Sequence, residues 1–300
     1  MNKVQQKRFD SLYRKHVNAL RRQGKADSTI DAYARAIRRL GEFFDCPVDV
    51  LNLEQLEGYF DALVKTYSWS TVKVDRNGLQ FFFKHVLKRD WQWVDIVKPP
   101  EVKTLPDVLT LKEVERLING TRELRYQTYI LTCFSMGLRI SEALGIEVGD
   151  IDSERMRVHI RLGKGKKDRY VTLPTLTLEA LRRYWATHRH PRWLFPGGRT
   201  AAQRHQAERV MDRGGLQKSF KAIVRSVGIH KAATVHTLRH SYGLALTDAG
   251  VSLRAVQEAM GHEDPRTTAL YTQLSSYTQT DTERRINGLI GRLRLNWEEE

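Results

Sequence analysis

The 300-residue sequence is poor in the residues that staple a chain or carry it across a membrane. Its two cysteines, Cys46 and Cys133, stand far apart. That excludes a disulfide framework and a cysteine-built zinc cluster, and fits free thiols in a reducing compartment. No run approaches the roughly 18 apolar residues of a membrane span, and the opening "MNKVQQKRFD" lacks the apolar stretch of a secretory signal. The cytoplasm is therefore the expected compartment, with no membrane partner. Acid is the scarcer charge: 35 Asp and Glu face 50 Lys and Arg, a formal charge of +15. So large an excess points to a polyanionic partner, nucleic acid ahead of an anionic membrane. Hydrophobic residues make up 41%, enough for a globular chain, and the length accommodates two cores.

Proline is also scarce, and three of the eight, Pro99, Pro100 and Pro106, share one short stretch. Proline fixes φ and removes an N–H donor, so residues 98–108 read as an extended linker. Residues 1–97 before it carry helical periodicity. "SLYRKHVNALRRQG" ends at Gly24, a plausible cap. "DSTIDAYARAIRRLGEFF" opens on an Asp/Ser cap and spaces Ile30, Tyr33, Ile37, Leu40 and Phe44 along one face. Arg35, Arg38 and Arg39 lie opposite, placed to meet phosphate. "NLEQLEGYFDALV" and "TVKVDRNGLQFFFKHVLKRD" supply two more helices. The aromatic run Phe81, Phe82 and Phe83 reads as core rather than a base-stacking platform.

After the linker, Thr110 and Glu113 fit a capping box. The clear strand signal is "RMRVHIRLGKGKKDRYVTLP", where Met156, Val158, Ile160 and Leu162 alternate with polar residues. Val171 and Leu173 resume beyond a Gly/Lys turn, which predicts a hairpin. Its tip carries Arg161, Lys164, Lys166, Lys167 and Arg169 against one acid, a pattern suited to phosphate. "HPRWLFPGGRTAAQRHQAERVMDRGG" has no clean period and reads as a loop, and the remainder is helical. The fold class is mainly α with a small β-hairpin or sheet (α+β). The expected order is a helical DNA-binding domain over 1–97, the linker, a second domain over 109–280, and a C-terminal helix or tail over 281–300.

"VHTLRHSYG" places His236 and His240 four residues apart, the spacing of a zinc-binding HExxH helix. Thr237 stands where that helix needs Glu, and no third ligand is evident, so no metal is expected. Pairing His236 with Arg239 instead gives phosphoryl-transfer chemistry. Arg139 and Arg239 can clamp the oxygens of one phosphodiester, since a guanidinium fork suits that geometry and stays charged. Histidines can donate to those oxygens or accept a proton. Lys164 at the hairpin turn can protonate a leaving oxygen, and the Tyr271 hydroxyl can attack phosphorus. Charge neutralisation then comes from side chains, and no cofactor is expected.

"GLRISEALGIEVGDI", "GKGKKDRYVTLP" and "HTLRHSYGLALTDAGVSLRAVQEAMGHEDPRTTALYTQLS", in that order, resemble the tyrosine recombinase (phage integrase) family. The likeness is greatest to compact Xer-type recombinases and looser to integron integrases, whose large inserted helix has little room between Lys164 and His236. It covers Thr110 to about Ser276, and less specifically the preceding SAM-like helical domain. Gln273 stands where the family often has His. The resemblance implies that Arg139, Arg239 and His262 bind the scissile phosphate and His236 assists as proton acceptor. It makes Lys164 the general acid, with Lys166 and Lys167 as alternatives. Tyr271 becomes the nucleophile and Glu142 an orienting acid, while His240 falls outside the shared signature and reads as scaffold. The implied activity is site-specific recombination of double-stranded DNA through a 3′-phosphotyrosine link and a Holliday junction, without ATP. A homotetramer on DNA is implied, with a monomer as the alternative when free, an accessory protein or second recombinase as a further partner, and the C-terminal helix packing either in cis or, docked on a neighbour, in trans. A separate arm-binding module is not expected. The rival readings are a non-catalytic DNA-binding protein of the same fold and a type IB topoisomerase-like enzyme.

Overall fold

The computed structural model describes residues 1–91, 107–161, 168–262 and 264–275. The chain divides into two compact units, Met1–Lys103 and Thr104–Glu300. Most of the expected linker, the hairpin tip with Lys164, Lys166 and Lys167, and the expected C-terminal helix lie outside the described residues.

The first unit holds α1 (Lys3–Arg22), α2 (Asp27–Phe44), α3 (Leu53–Thr66) and α4 (Trp69–Phe82), followed by a π-helical turn over Phe83–Leu87. Asn2 and Asn52 start α1 and α3 with capping boxes, each side chain accepting from backbone N–H groups of the first turn. The start of α2 differs from the sequence reading. Its N-cap is Ala26, without a side-chain hydrogen bond, and Asp27 lies inside the first turn. There its charge favours the helix dipole instead of closing a cap. Ile37 and Leu40 of α2 are buried with Leu56, Phe60, Leu79 and Phe82. Phe81, Phe82 and Phe83 are all buried, the core role their clustering predicts. The arginines opposite are not equivalent. Arg35 and Arg38 are exposed. Arg39 instead donates through Nη1 to the buried carboxylate of Asp75 at 2.5 Å.

The second unit opens with α5 (Leu111–Asn119), and Thr110 and Glu113 form the expected capping box. Next come α6 (Leu124–Ser135), α7 (Ile140–Leu144), and strands β1 (Ile151–Asp152), β2 (Arg157–Ile160) and β3 (Arg169–Thr172). The sheet is antiparallel in the order β1-β2-β3, with Val158 opposite Val171 and Ile160 opposite Arg169. The hairpin is thus present, joined by a two-residue strand too short to leave a period in the sequence. Then follow α8 (Thr175–Ala186), α9 (Ala201–His205), α10 (Arg213–Ser226), α11 (Val235–Asp248), α12 (Leu253–Met260) and α13 (Pro265–Leu274). The stretch between α8 and α10 is more ordered than its sequence pattern predicts. It contains α9 and an isolated bridge between Pro196 and Val210. His190 also staples it, accepting at Nδ1 from the N–H groups of Arg192 and Trp193. Helix α6 packs on α8 and α11. Tyr129, Leu138, Phe195, Phe220 and Leu238 fill the core between the helices.

Candidate active site

Helix α11 sets the site. His236, Arg239, His240 and Gly243 fall at i, i+3, i+4 and i+7, so all four share one face. Thr234 caps the helix start, its side chain accepting from the N–H of Thr237. Val235 and Leu238 point into the core and fix the rotation of the helix.

Arg239 is buried. Its Nη1 donates to the Gly137 carbonyl and its Nη2 to the Met260 carbonyl, each at 2.5 Å. Arg139, the N-cap of α7, donates from Nη2 to the next carbonyl along, Gly261, at 3.4 Å. The two arginines therefore cover consecutive carbonyls at the C-terminal end of α12, groups that helix geometry leaves unsatisfied. Gly137 and Gly261 each present their own carbonyl to an arginine from left-handed backbone, with φ of +58° and +62°.

Glu142 binds the cluster together. Its Oε1 accepts from Arg139 Nη1 at 2.6 Å and its Oε2 from the Arg139 backbone N–H at 2.9 Å. Arg169, on β3, donates to both oxygens, from Nη1 at 2.9 Å and Nη2 at 2.8 Å. Arg239 Nη1 lies 3.9 Å from the same carboxylate. Burial works to raise the Glu142 pKa, but the hydrogen bonds from Arg169 and Arg139 outweigh it and bring it to about 2. Burial and the nearby charge of Arg139 lower the Arg239 pKa to about 10, leaving it charged at neutral pH. Three guanidiniums thus surround one carboxylate.

The histidines do not reduce that demand. Burial, then Arg239 and Arg139, lower the His262 pKa to about 4. His236 is open to solvent at its edge, yet the protein packed behind it, together with Arg239 and Arg139, lowers its pKa too. His262 follows Gly261, with Nδ1 2.8 Å from Thr268 Oγ1. Its ring stacks against Tyr271 at 6.2 Å between centroids and 23° between planes. Tyr271 sits in α13 with no exposed surface. Burial pushes its hydroxyl up to about 12, with Arg239 opposing. The site is cationic, partly closed and supplied with a phenol, features suited to binding an anion and transferring it to an oxygen nucleophile.

Arg139, Glu142, His236, Arg239, His262 and Tyr271 therefore come together, while Lys164 lies outside the described residues. One of the phosphate-facing candidates, Arg169, is turned inward onto Glu142, while Arg161 stays exposed and pairs with Asp150 at 2.5 Å. His240, set aside as scaffold, is 3.1 Å from the Tyr271 hydroxyl through Nδ1. Its ring meets His236 edge to face at 4.6 Å rather than converging with it on one point. Its four-residue offset from His236, which puts both on one face of α11, is the signal the sequence holds for it. Among the described residues, no group of three or more His, Cys, Asp or Glu side chains comes together as a metal ion would need. No helix of the described residues is long and apolar enough to cross a membrane.

Residues 107–277 match the phage integrase family, and residues 12–93 match the N-terminal SAM-like domain of phage integrases. The chain belongs to the phage integrase family. It is 35% identical over 248 residues to a putative integrase/recombinase of Sinorhizobium fredii, covering 82% of this chain and 78% of the other. It is 31% identical to tyrosine recombinase XerD of Staphylococcus saprophyticus, covering 84% and 90%. Among solved structures, XerH site-specific recombinase bound to difH substrate shares the fold, with a TM-score of 0.64 and 21% identity over 84% of this chain and 78% of the other. The tyrosine recombinase resemblance, its Xer-type leaning and the mainly α fold class all hold. With the family comes the enzyme class: this integrase is a site-specific recombinase.

Proposed function

We propose that this recombinase cuts and rejoins double-stranded DNA through a covalent link between Tyr271 and a 3′-phosphate. One observation carries the reading: a buried phenol stands near Arg239, one of three guanidiniums that share a single carboxylate. A phosphodiester is the anion that uses both. Arg139 and Arg239 bind its non-bridging oxygens, His262 adds a hydrogen bond, and His236 lies at the open edge where substrate enters. Glu142 orients the guanidiniums. Lys164, which lies between β2 and β3 in the sequence, protonates the leaving 5′-oxygen. The phosphotyrosine ester keeps the energy of the broken bond, so a 5′-hydroxyl of a partner duplex reseals it without ATP. Two rounds pass through a Holliday junction in a homotetramer, with the C-terminal segment docking on a neighbour. XerH bound to difH and a lambda integrase tetramer bound to a Holliday junction support this reading through their shared fold. The basic excess supplies phosphate contacts from both domains.

The test uses nicked suicide duplexes tiling the DNA on either side of the chain's own gene, selected by mobility shift and incubated with EDTA. A covalent protein–DNA band that Tyr271→Phe removes is expected. A bound duplex that yields no band, or a band that survives Tyr271→Phe, rejects the proposal.

A further inference from the structure

The Tyr271 hydroxyl faces His240, not His236, to which the family resemblance assigns its proton. Among the described residues its hydrogen-bond partner is His240 Nδ1, at 3.1 Å. We propose that His240 is a catalytic residue that holds the Tyr271 hydroxyl in place and accepts its proton as the tyrosine attacks phosphorus. The inference rests on the reading of Tyr271 as nucleophile.

The surroundings leave a neutral acceptor facing the phenol. A buried phenolic hydrogen needs an acceptor. With the ring proton on Nε2, the lone pair of Nδ1 faces that hydrogen. Burial, then His236 and Arg239, lower the His240 pKa to about 4, so the ring is neutral and able to accept at pH 7. The hydroxyl, pushed up to about 12, does not ionise in advance. Its proton must leave while the oxygen–phosphorus bond forms, which requires a base already in contact. The contact is also held in place. His240 lies on the same helix face as Arg239, its ring packed against His236 at 4.6 Å and 6.1 Å from the Tyr271 ring. A phosphodiester on the guanidiniums brings negative charge beside the ring and stabilises the imidazolium as it forms.

The step balances. The Tyr271 oxygen bonds to phosphorus, and its proton passes to His240 Nδ1. The bond from phosphorus to the 5′-oxygen breaks, and that oxygen takes a proton from the general acid. On resealing, the 5′-hydroxyl attacks phosphorus and returns its proton to the general acid, while the bond from phosphorus to the tyrosine oxygen breaks and His240 gives its proton back to that oxygen. His236 is then left to the phosphate.

The experiment follows single-turnover formation of the covalent band on a bound nicked duplex, with oxygen or sulfur as the bridging 5′ atom. It compares the intact chain with Tyr271→Phe, His240→Ala, His240→Asn and His236→Ala, with melting temperature and mobility shift recorded for each. The amide oxygen of Asn can keep the phenol's hydrogen bond but cannot take its proton. Both His240 variants are expected to bind DNA and to cleave about 100-fold more slowly or worse. Sulfur leaves without a proton, so it is expected not to restore them. If His240→Ala fails to fold, His240→Asn carries the test. Cleavage by His240→Asn at the rate of the intact chain overturns the proposal. So does rescue by sulfur, which would put His240 on the leaving-group side, or a loss confined to His236→Ala. A band that persists in Tyr271→Phe rejects the nucleophile itself, a separate failure that the same gel distinguishes.

Discussion

Arg169 grips Glu142 with both terminal nitrogens, at 2.9 and 2.8 Å. Strand β3 is thereby tied to the carboxylate that also accepts from Arg139. Removing one member of a buried pair leaves the other charge uncompensated, at about 3–5 kcal/mol. Glu142→Gln is therefore expected to destabilise the catalytic unit by several kcal/mol in urea unfolding, because three guanidiniums lose their shared anion. Arg169→Ala is expected to slow covalent-complex formation while DNA binding persists. Unchanged rates in Arg169→Ala would show that the ion pair does not position Arg139.

The same carboxylate gives a pH dependence of definite sign. Its folded pKa, about 2, lies below the ordinary 4.5, so the unfolded chain binds the proton first as pH falls. The stabilisation is fully present above pH 4.5 and is lost as pH drops through 2. Urea midpoints measured across this window should fall more steeply in the intact chain than in Glu142→Gln. Parallel curves would contradict the assignment.

Gly243 leaves room for the Tyr271 ring. A Cβ there would lie 2.5 Å from the Tyr271 ring and 2.7 Å from Met260 Sδ. Gly243→Ala must push the phenol away from His240, at a packing cost of about 1–3 kcal/mol. The expected outcome is a folded protein that binds DNA normally and cleaves at least about tenfold more slowly, since small misplacements of reacting groups are costly. Cleavage at the normal rate would mean that the tyrosine leaves this position before it reacts.

Local pattern carried the helices and the hairpin into view, because periodicity and caps such as Thr110 with Glu113 are written within a few residues. Arg239 and Tyr271 are legible in motif order and family resemblance. What stayed hidden depends on contacts across distance. Arg169 looked like a surface charge because Glu142, 27 positions earlier, is invisible to local reading. His240 looked like scaffold because Tyr271 approaches it from a helix 31 positions on. The fold of residues 191–212 rests on His190 and backbone bridges, which leave no period.

His16 should make the N-terminal unit sensitive to acid. It is buried between Phe81 and Phe82, with ring centroids 5.6 Å from each. Burial lowers its pKa from 6.5 to about 4. Between those values the unfolded chain binds a proton that the folded chain refuses, so stability is full above pH 6.5 and declines as pH falls towards 4. The loss amounts to about 3 kcal/mol at most. His16→Phe should flatten this decline in thermal melts recorded from pH 7 to about pH 4. A decline equally steep in the variant would place the acid sensitivity elsewhere.

Arg38 and Arg39 are neighbours in sequence with opposite expected behaviour. Arg39 donates to Asp75, which is 2% exposed and also accepts from the Tyr59 hydroxyl at 3.1 Å. The Arg39 guanidinium also lies over the Tyr67 ring at 4.6 Å. Arg39→Ala strands a buried carboxylate and is expected to cost the N-terminal unit about 3 kcal/mol. Arg38 is exposed and donates to the Tyr13 hydroxyl, leaving its charge available to solvent. Arg38→Ala should leave the urea midpoint nearly unchanged and reduce the slope of log affinity against log salt by about one if it meets a phosphate. The two measurements on the two variants separate the roles. A stable Arg39→Ala that loses salt slope would return Arg39 to the phosphate-contacting set and mean that Asp75 tolerates burial with Tyr59 alone.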